Sequence, residues 1–349
     1  MRERREILKL WRVLADAGQP GVLATVVRTE GSSYRLPGAR LLLGPDGQHA
    51  GGISGGCLED DILKRAWWLT ANGPVIRKYD TTPDGELATE GYGLGCNGVI
   101  HVLLERVTSE VPAVLPILDK VNQSRRAITV VHAVSAAAAG QHFLLGDNDT
   151  NPFDVAAKEV FVETITPPTH LLVFGAGDDA IPVTELAHYL GWQVSIFDGR
   201  AHYARAARFP LADRVQVRAA GSPAPEIDDW TVAVTMTHSY SQDREAVELL
   251  AGKGLRYLGV LGPRKRTRQL LADLGLEEGT MDSSLHGPMG LDLGGHGPEL
   301  VALSVMAEIQ SVLNGRNSGS LRDLVRPIHS GVADSPSPEE AWVRSIVCT

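Results

Sequence analysis

The start of the chain alternates short apolar runs with glycine-rich turns, a pattern typical of a β-rich domain. Residues 1–18 have the apolar spacing of an amphipathic helix. Residues 21–29 and 39–47 are each predicted to form a strand, and the second ends in a Pro-Asp-Gly turn. Residues 51–69 then run from a glycine-rich loop into a helix whose first turn is acidic, as the helix dipole favours.

Further apolar runs extend this pattern as far as a stiff Pro-Pro pair. They predict a short helix at 111–123 and strands at 74–82, 99–107, 125–134 and 141–147. Pro167 and Pro168 form an extended connector, which marks a domain boundary. We therefore expect one domain at residues 1–167, a second at 168–315 and a loosely ordered tail at 316–349.

Strands and helices alternate regularly from His170 onward. Such alternation is the signature of a doubly wound parallel sheet. The sequence therefore predicts an α/β protein. An N-terminal α+β domain with a mixed or antiparallel sheet is followed by a Rossmann-like domain with a doubly wound parallel sheet.

The composition excludes several classes of protein. Hydrophobic residues make up 43% and charged residues 21% of the chain, which is too apolar for a disordered protein. The net charge of −9 provides no global positive field, so binding to nucleic acid is disfavoured. No apolar run approaches the roughly 18 residues of a membrane span, and the charged start does not resemble a signal peptide. We expect no membrane association.

The three cysteines, Cys57, Cys96 and Cys348, have no CxxC spacing. This sparse set argues against a disulfide framework and against a four-thiolate zinc site. A reducing cytoplasm is the expected localisation.

A dinucleotide fingerprint opens the second half. Gly175 and Gly177 follow an apolar strand and precede a helix, with Ala180 in the third small position. Asp198 ends the next strand, 21 residues after Gly177, where a carboxylate would bind a ribose hydroxyl. These positions make NAD(P) or another nucleotide a candidate ligand.

Two acidic residues oppose that interpretation. Asp178 and Asp179 stand where a pyrophosphate would meet backbone N–H groups, and their charges would repel it. The alternative is that the glycines only permit tight strand-to-helix packing while the acids favour the helix N-terminus.

Two glycine-rich loops carry a cysteine each: the first glycine loop, residues 51–56, precedes Cys57, and the second, residues 90–98, contains Cys96. A thiolate at a helix N-terminus is favoured, so Cys57 is a candidate soft ligand or sulfur-handling nucleophile. The acids at 59–61 oppose that effect. The alternative for both cysteines is a small buried apolar side chain.

Residues 30–40 offer a group of polar side chains beside these loops. Ser32 and Ser33 provide hydroxyls, and Arg35 and Arg40 provide guanidinium groups suited to a phosphate on a polar heterocycle. An ordinary loop with solvated arginines is the alternative.

Several common catalytic motifs are missing from the sequence: no GxxxxGK[ST], HExxH or GxSxG occurs. His238 follows an apolar strand and is a candidate acid or base, or else a hydrogen-bonded loop residue. The basic run at 262–270 is a candidate anion or partner site, or else a solvated face.

Several of these motifs occur in the order of a known family. Residues 31–47 followed by 51–61 resemble the N-terminal signature of the XdhC/CoxI family, the accessory proteins for maturation of xanthine dehydrogenase and carbon monoxide dehydrogenase. Residues 93–98, GLGCNG, resemble its second cysteine motif. The C-terminal Rossmann half of the family is matched in order by residues 170–180, 192–200, 256–266 and 287–309.

The resemblance implies a chaperone rather than a catalyst. It would bind molybdenum cofactor (molybdopterin), support conversion to the sulfido form with a cysteine desulfurase, and deliver the cofactor to a molybdenum hydroxylase. No catalytic residue is assigned. The motif positions implied to bind the cofactor are Ser32, Ser33, Arg40, Gly52, Ser54, Gly55, Gly56, Cys57, Glu59 and Cys96. Cys57 or Cys96 is the candidate ligand of the metal.

The Rossmann half departs from the family pattern at one informative position. The family usually has His where this chain has Asp178, which removes any histidine role there. Gly175, Gly177 and Asp198 nonetheless stay as the candidate nucleotide-binding residues. Apolar faces on the terminal helices favour a homodimer.

Two other functions compete with the chaperone. One is an NAD(P)-dependent oxidoreductase with His238 as its acid or base. The other is a cofactor-free scaffold that joins a cysteine desulfurase to its client.

Overall fold

The computed structural model describes residues 1–81, 98–111, 113–135, 138–145, 159–276 and 284–325. The chain divides into two compact units: Glu3–Pro167 makes up one, and the described residues from Pro168 onward, with Met1 and Arg2, make up the other. No helix among the described residues is both long enough and apolar enough to cross a membrane.

The N-terminal unit is built from antiparallel sheets and three described helices. Its helices are α1 (Arg2–Asp16), α2 (Cys57–Leu69) and α3 (Leu115–Ser124). Its strands are β1 (Gly21–Gly31), β2 (Arg40–Leu43), β3 (His49–Gly51), β4 (Val75–Asp80), β5 (Gly98–Val107), β6 (Ile128–Ala133), β7 (His142–Leu145) and β8 (Val160–Ile165). They form a five-stranded sheet of order β3-β2-β1-β5-β4 and a three-stranded sheet of order β7-β6-β8.

Apolar side chains on both faces of the five-stranded sheet make two cores in this unit. One face, with Val22, Ala24 and Leu41, packs against Ile62 and Ala66 of α2. The other face contributes to a cluster with α1, α3 and the three-stranded sheet. Burial on both faces explains why β1 and β2 are almost continuously apolar instead of alternating.

The C-terminal unit is a parallel sheet with helices. Its helices are α4 (Ala180–Tyr189), α5 (Tyr240–Leu250), α6 (Arg264–Asp273) and α7 (Pro298–Leu313). Its strands are β9 (His170–Phe174), β10 (Gln193–Asp198), β11 (Arg214–Val217), β12 (Thr231–Thr235), β13 (Leu258–Val260) and β14 (Leu285–His286). The order β11-β10-β9-β12-β13-β14 reverses direction at β9, so a crevice opens there beyond the strand ends.

The predicted fold class is therefore confirmed: antiparallel sheets come first and a Rossmann-type parallel sheet follows. The sequence patterns missed β8, a six-residue strand that lies directly before the Pro-Pro connector, and also β3 and β14, which have only three and two residues. Strands this short are too brief for an apolar period to show.

Candidate functional site

The first glycine loop begins where β3 ends, and it is held against β2 by its backbone. Gly52 N–H donates to the Arg40 carbonyl at 2.8 Å. Gly51 has φ +88, and a Cβ there would lie 2.2 Å from that same carbonyl. Only glycine fits this close approach, so the loop leaves the sheet along one fixed path.

The Glu59 carboxylate organises the rest of this loop. Its Oε1 accepts N–H bonds from Ile53 at 2.9 Å and Ser54 at 2.7 Å, and its Oε2 accepts the N–H of Gly56 at 3.1 Å. Burial alone would raise the pKa of Glu59, but the bonds from Ser54 and Ile53 outweigh it and hold the pKa below its usual value. The carboxylate thus stays ionised and binds the loop's own donors.

Ser54 completes this arrangement at the start of α2. Its hydroxyl donates to Glu59 and accepts the N–H groups of Gly56 at 3.1 Å and Leu58 at 3.2 Å. It therefore caps a helix N-terminus whose N-cap residue, Gly56, has no side chain. Cys57 is the first residue of that helix.

Four predicted residues, Gly52, Ser54, Gly56 and Glu59, thus lie in one hydrogen-bonded loop. Gly55 lies at its exposed tip, and a Cβ there would meet nothing within 4 Å. The loop N–H groups at 53, 54 and 56, however, are bound to Glu59 and are not open to a phosphate.

The three acids that follow Cys57 have separate environments. Glu59 faces the loop, Asp60 is exposed, and Asp61 is buried beneath the helix. Asp61 accepts the Tyr79 hydroxyl at 3.0 Å and pairs with Arg65 at 3.1 Å. Burial, with Asp61 beside it, raises the pKa of Tyr79. Asp61 therefore has a structural role in the core, and the three acids after Cys57 are not equivalent.

The two predicted arginines also differ in position. The Arg40 side chain is only 8% exposed, pairs with Glu163 and donates to the Gly38 carbonyl at 2.9 Å. The expectation that Arg40 offers its guanidinium to a phosphate does not fit this burial. Arg35 borders the loop instead, since a Cβ on Gly52 would lie 3.5 Å from its guanidinium.

Ser32 and Ser33 lie on the chain that leaves β1. Ser33 Oγ donates to the Arg35 carbonyl at 2.8 Å. Gly98, the first described residue after the second glycine loop, pairs with Gly31, and a Cβ on it would lie 2.3 Å from the Ser32 carbonyl. Cys96 lies outside the described residues, as does the Cys57 side chain, so their shared cavity stays a prediction.

The Rossmann glycines have packing roles. Gly175 has φ +126, and a Cβ there would lie 2.4 Å from the Met236 carbonyl on the chain that follows β12. A Cβ on Gly177 would lie 2.6 Å from Asp179 Oδ1. The Asp179 carboxylate therefore fills the space over Gly177 where a pyrophosphate would approach.

Asp198 is fully engaged by its own loop. Its Oδ2 accepts the Ala176 N–H at 2.8 Å and an Arg200 N–H at 2.8 Å, and its Oδ1 accepts the Arg200 Nε–H at 2.9 Å. Burial opposes ionisation, but the bonds from Arg200 and Ala176 outweigh it and lower the pKa of Asp198. Both oxygens are thus occupied without a ribose.

The crevice at the sheet reversal contains Asp178 and Asp179, the two acids that directly precede α4. Asp179 accepts His238 Nε2 at 2.7 Å, and Asp178 pairs with Arg208 at 2.6 Å. Asp178, Asp179 and His238, together with Arg200 and Tyr203, border a cleft of about 350 Å³. His238 therefore has an orienting carboxylate, which sequence reasoning missed because the two residues are 59 positions apart.

The described part of the chain contains no cluster of three or more His, Cys, Asp or Glu side chains with the geometry of a metal site. Any metal bound through Cys57 or Cys96 would involve side chains outside that part.

Comparison with known proteins gives consistent matches along the chain. The model of the XdhC and CoxI family matches residues 14–80, and that of the XdhC Rossmann domain matches residues 171–309. A Bacillus subtilis protein named as a probable subunit of xanthine dehydrogenase is 32% identical over 85% of this chain and 94% of its own. The molybdenum cofactor insertion chaperone PaoD of Escherichia coli is 26% identical over 89% of each chain. A crystal structure from Bacillus halodurans, described as a xanthine dehydrogenase, superposes with a TM-score of 0.76 at 30% identity, covering 90% of this chain and 98% of that one.

Proposed function

This chain belongs to the XdhC and CoxI family, and from that premise we propose that it is a maturation chaperone that carries molybdenum cofactor to a molybdenum hydroxylase. The observation that carries the proposal is near full-length similarity to two proteins, one named as a molybdenum cofactor insertion chaperone and the other as a xanthine dehydrogenase subunit. The cofactor is cargo here, so the protein needs only to bind, shield and release it.

The first glycine loop is the proposed cargo surface. Ser54 and Glu59 fix the loop before any cargo arrives, so little ordering entropy is lost on binding. Cys57 begins the helix at the end of this loop, where the N–H groups favour a thiolate and thus a soft neighbour for molybdenum or its sulfur.

Phosphate recognition falls to the loop that follows β1. The Arg35 side chain is 31% exposed and lies beside Gly52, and Ser32 and Ser33 precede it by three and two residues. Arg35 pairs with Glu3, so a phosphate would compete with that carboxylate for the guanidinium. Arg40 supports the loop from beneath through Gly52 and does not touch cargo.

Further steps belong to the same proposal. The chaperone works in the cytoplasm, as a homodimer, with a cysteine desulfurase that supplies the terminal sulfur of the cargo. The functional boundaries are residues 1–167 for cargo, 168–315 for the Rossmann domain and 316–349 for the tail. Cross-linking with the desulfurase and light scattering test the partner and the dimer separately.

The test is anaerobic purification followed by mass spectrometry of the bound cargo. We expect the wild type to hold molybdenum cofactor and slow its oxidation, and Cys57→Ser or Cys96→Ser to shorten that protection. Cys348→Ser is the matched control and should behave as wild type. If the cofactor lifetime is equal in all variants, the thiols are not part of the site. If the purified protein holds no cofactor but still binds its client, the result favours the scaffold function.

An NAD(P)-dependent oxidoreductase receives no support from the geometry. Asp179 lies over Gly177, and both oxygens of Asp198 are bonded within the protein. The candidate nucleotide residues Gly175, Gly177 and Asp198 are better explained as the structural first turn of the parallel sheet.

A further inference from the structure

A buried chain of polar side chains joins the two sheets of the N-terminal unit. From one end it runs Glu105 on β5, His142 on β7, His132 on β6 and Glu163 on β8. The links are His142 Nε2 to Glu105 at 2.7 Å, His132 Nδ1 to His142 Nδ1 at 2.7 Å, and His132 Nε2 to Glu163 at 2.8 Å. Arg40 on β2 pairs with Glu163 and ends the chain.

This series of hydrogen-bonded side chains connects the two sheets at two places. Glu105 and Arg40 belong to the five-stranded sheet, whereas both histidines and Glu163 belong to the three-stranded sheet. The crossings are therefore the bonds from His142 to Glu105 and from Arg40 to Glu163. His132 and His142 are direct partners in the antiparallel register of β6 and β7, so the strand pairing itself brings the imidazoles together.

Hydrogen atoms in this chain can be counted, because each of the three links needs one. A carboxylate only accepts, and a neutral imidazole has one N–H and one bare nitrogen. Two neutral histidines supply two hydrogens for three links. One more hydrogen is required, or two lone pairs would face each other at 2.7 Å.

The position of the extra hydrogen follows from the Glu163 end. Burial raises the pKa of Glu163, but Arg40 outweighs it and lowers the pKa to about 2, so this carboxylate only accepts. His132 therefore donates through Nε2. Burial also lowers the pKa of His132, which keeps its ring neutral and leaves Nδ1 to accept from His142. The third hydrogen then lies between His142 Nε2 and Glu105.

The surroundings of Glu105 agree with this placement. Its side chain is 4% exposed, and within the described residues its Oε1 has no hydrogen-bond partner. A bare carboxylate oxygen in such a place is costly, whereas the carbonyl oxygen of a neutral acid is less so. Among the described residues, Arg4 of α1 is a further charged group near these side chains; it lies at the Glu163 end, and burial together with Arg40 lowers its pKa to about 10.

We propose that Glu105, His142, His132 and Glu163 hold three protons in the folded protein and act as a pH-dependent clamp between the two sheets of the N-terminal unit. The clamp does not depend on the proposed cargo. When the proton shared by His142 and Glu105 leaves, a buried carboxylate faces an imidazole lone pair and the crossing breaks. Arg40 and the backbone bond from Gly52 extend the clamp to the first glycine loop.

The sign of the pH effect follows from where the proton is held. By the hydrogen count, the folded clamp holds three hydrogens, whereas the separated groups hold two when both histidines are neutral, above their ordinary pKa of about 6.5. Stability from the clamp therefore falls as the pH rises above about 6.5, by about tenfold in the folding constant per pH unit, until the third hydrogen is lost. Below about 6.5 the two separated histidines each gain a proton and hold four hydrogens against three in the clamp, so stability also falls on acidification and is greatest near pH 6.5.

Glu105→Gln is the decisive variant. The amide N–H₂ donates to His142 Nε2 as the shared proton does, but it cannot ionise. The full-length protein is equilibrated in urea from pH 6.5 to 9.5 and pulse-labelled with deuterium at one fixed pH. Mass spectrometry then measures the unfolded fraction of peptides that contain β6 and β8.

We expect the wild-type midpoint to fall at alkaline pH and the Glu105→Gln midpoint to stay flat, with equal midpoints at pH 6.5. His49→Gln, at an exposed position on β3, is the control and should follow the wild type. Parallel pH curves for wild type and Glu105→Gln overturn the proposal. If Glu105→Gln does not fold, histidine-selective ¹⁵N NMR of the wild type decides: the clamp requires hydrogen on His132 Nε2 and on His142 Nδ1, and a bare His142 Nδ1 at pH 7 overturns it.

Discussion

Single carboxylates decide the local structure of both units. Glu59 binds three N–H groups of the first glycine loop, and Asp198 binds the turn after β9. In each case the acid stands where a ligand-binding role was predicted. The residue types were therefore visible in the sequence, but their partners were not, because a backbone N–H leaves no signature in the residue letters.

Glu59→Gln should destabilise the N-terminal unit by about 1–3 kcal/mol, because loop N–H groups lose a charged acceptor. Asp60→Asn removes the same charge from the same helix turn without touching the loop, and it should be nearly silent. Urea unfolding at pH 7 measures both. Equal losses would mean that the helix dipole, not the loop bonds, accounts for the effect.

The low pKa of Glu59 also gives a pH dependence. Because its folded-state pKa lies below the usual value, its stabilising effect is present above the ordinary value of about 4.3 and is lost as the pH falls through the folded-state pKa. The stability difference between wild type and Glu59→Gln should therefore shrink on acidification from pH 6 to 3. A difference that grows instead would show that the carboxylate is not stabilised in the fold.

At the scale of elements, the path from β3 through the first glycine loop depends on one glycine more than on its neighbours. Gly51→Ala would place Cβ against the Arg40 carbonyl at a positive φ, and we expect a loss of about 2–3 kcal/mol. Gly55→Ala meets nothing within 4 Å and should change stability by less than about 0.5 kcal/mol. Thermal unfolding of the two variants makes the comparison, and similar melting temperatures would contradict it.

The turn from β9 to α4 gives a prediction about ligands. Wild-type protein titrated with NADH should show no binding below about 1 mM, because Asp179 lies over Gly177 and Asp198 is already bonded. Fluorescence of the bound nicotinamide is the measurement. Asp179→Ser removes the carboxylate over Gly177, so binding by this variant alone would identify that carboxylate as the obstacle, whereas tight binding by the wild type would refute the account.

Most helices and strands could be predicted from periodicity, but the burial and the tertiary contacts of their side chains could not. Arg40 and Arg35 look alike in the sequence, yet Arg40 lies on the fully buried strand β2 and Arg35 on a loop. A strand of the form RLLL, with both faces covered, is a signal that could have separated them. The chain from Glu105 to Glu163 had no comparable signal, because its members come from four different strands.

At the scale of the whole molecule, each hydrophobic core belongs to a single unit. The clusters that contain Leu23 draw only on residues before Pro168, and those that contain Leu171 draw only on residues after it. Leu23→Ala and Leu171→Ala should each cost about 2–5 kcal/mol in their own unit. Calorimetry should show each substitution lowering one transition and leaving the other in place. A single transition that moves equally in both variants would contradict separate cores.

The carboxylate of Asp179 has a consequence for how the protein coexists with abundant metabolites. By lying over Gly177 it does what a competitive inhibitor would do, but it is covalently attached and always present. We therefore expect dinucleotides, oxidised or reduced, not to dock at the turn that contains Gly177. On that expectation the parallel-sheet unit is indifferent to the redox balance of the nicotinamide pool.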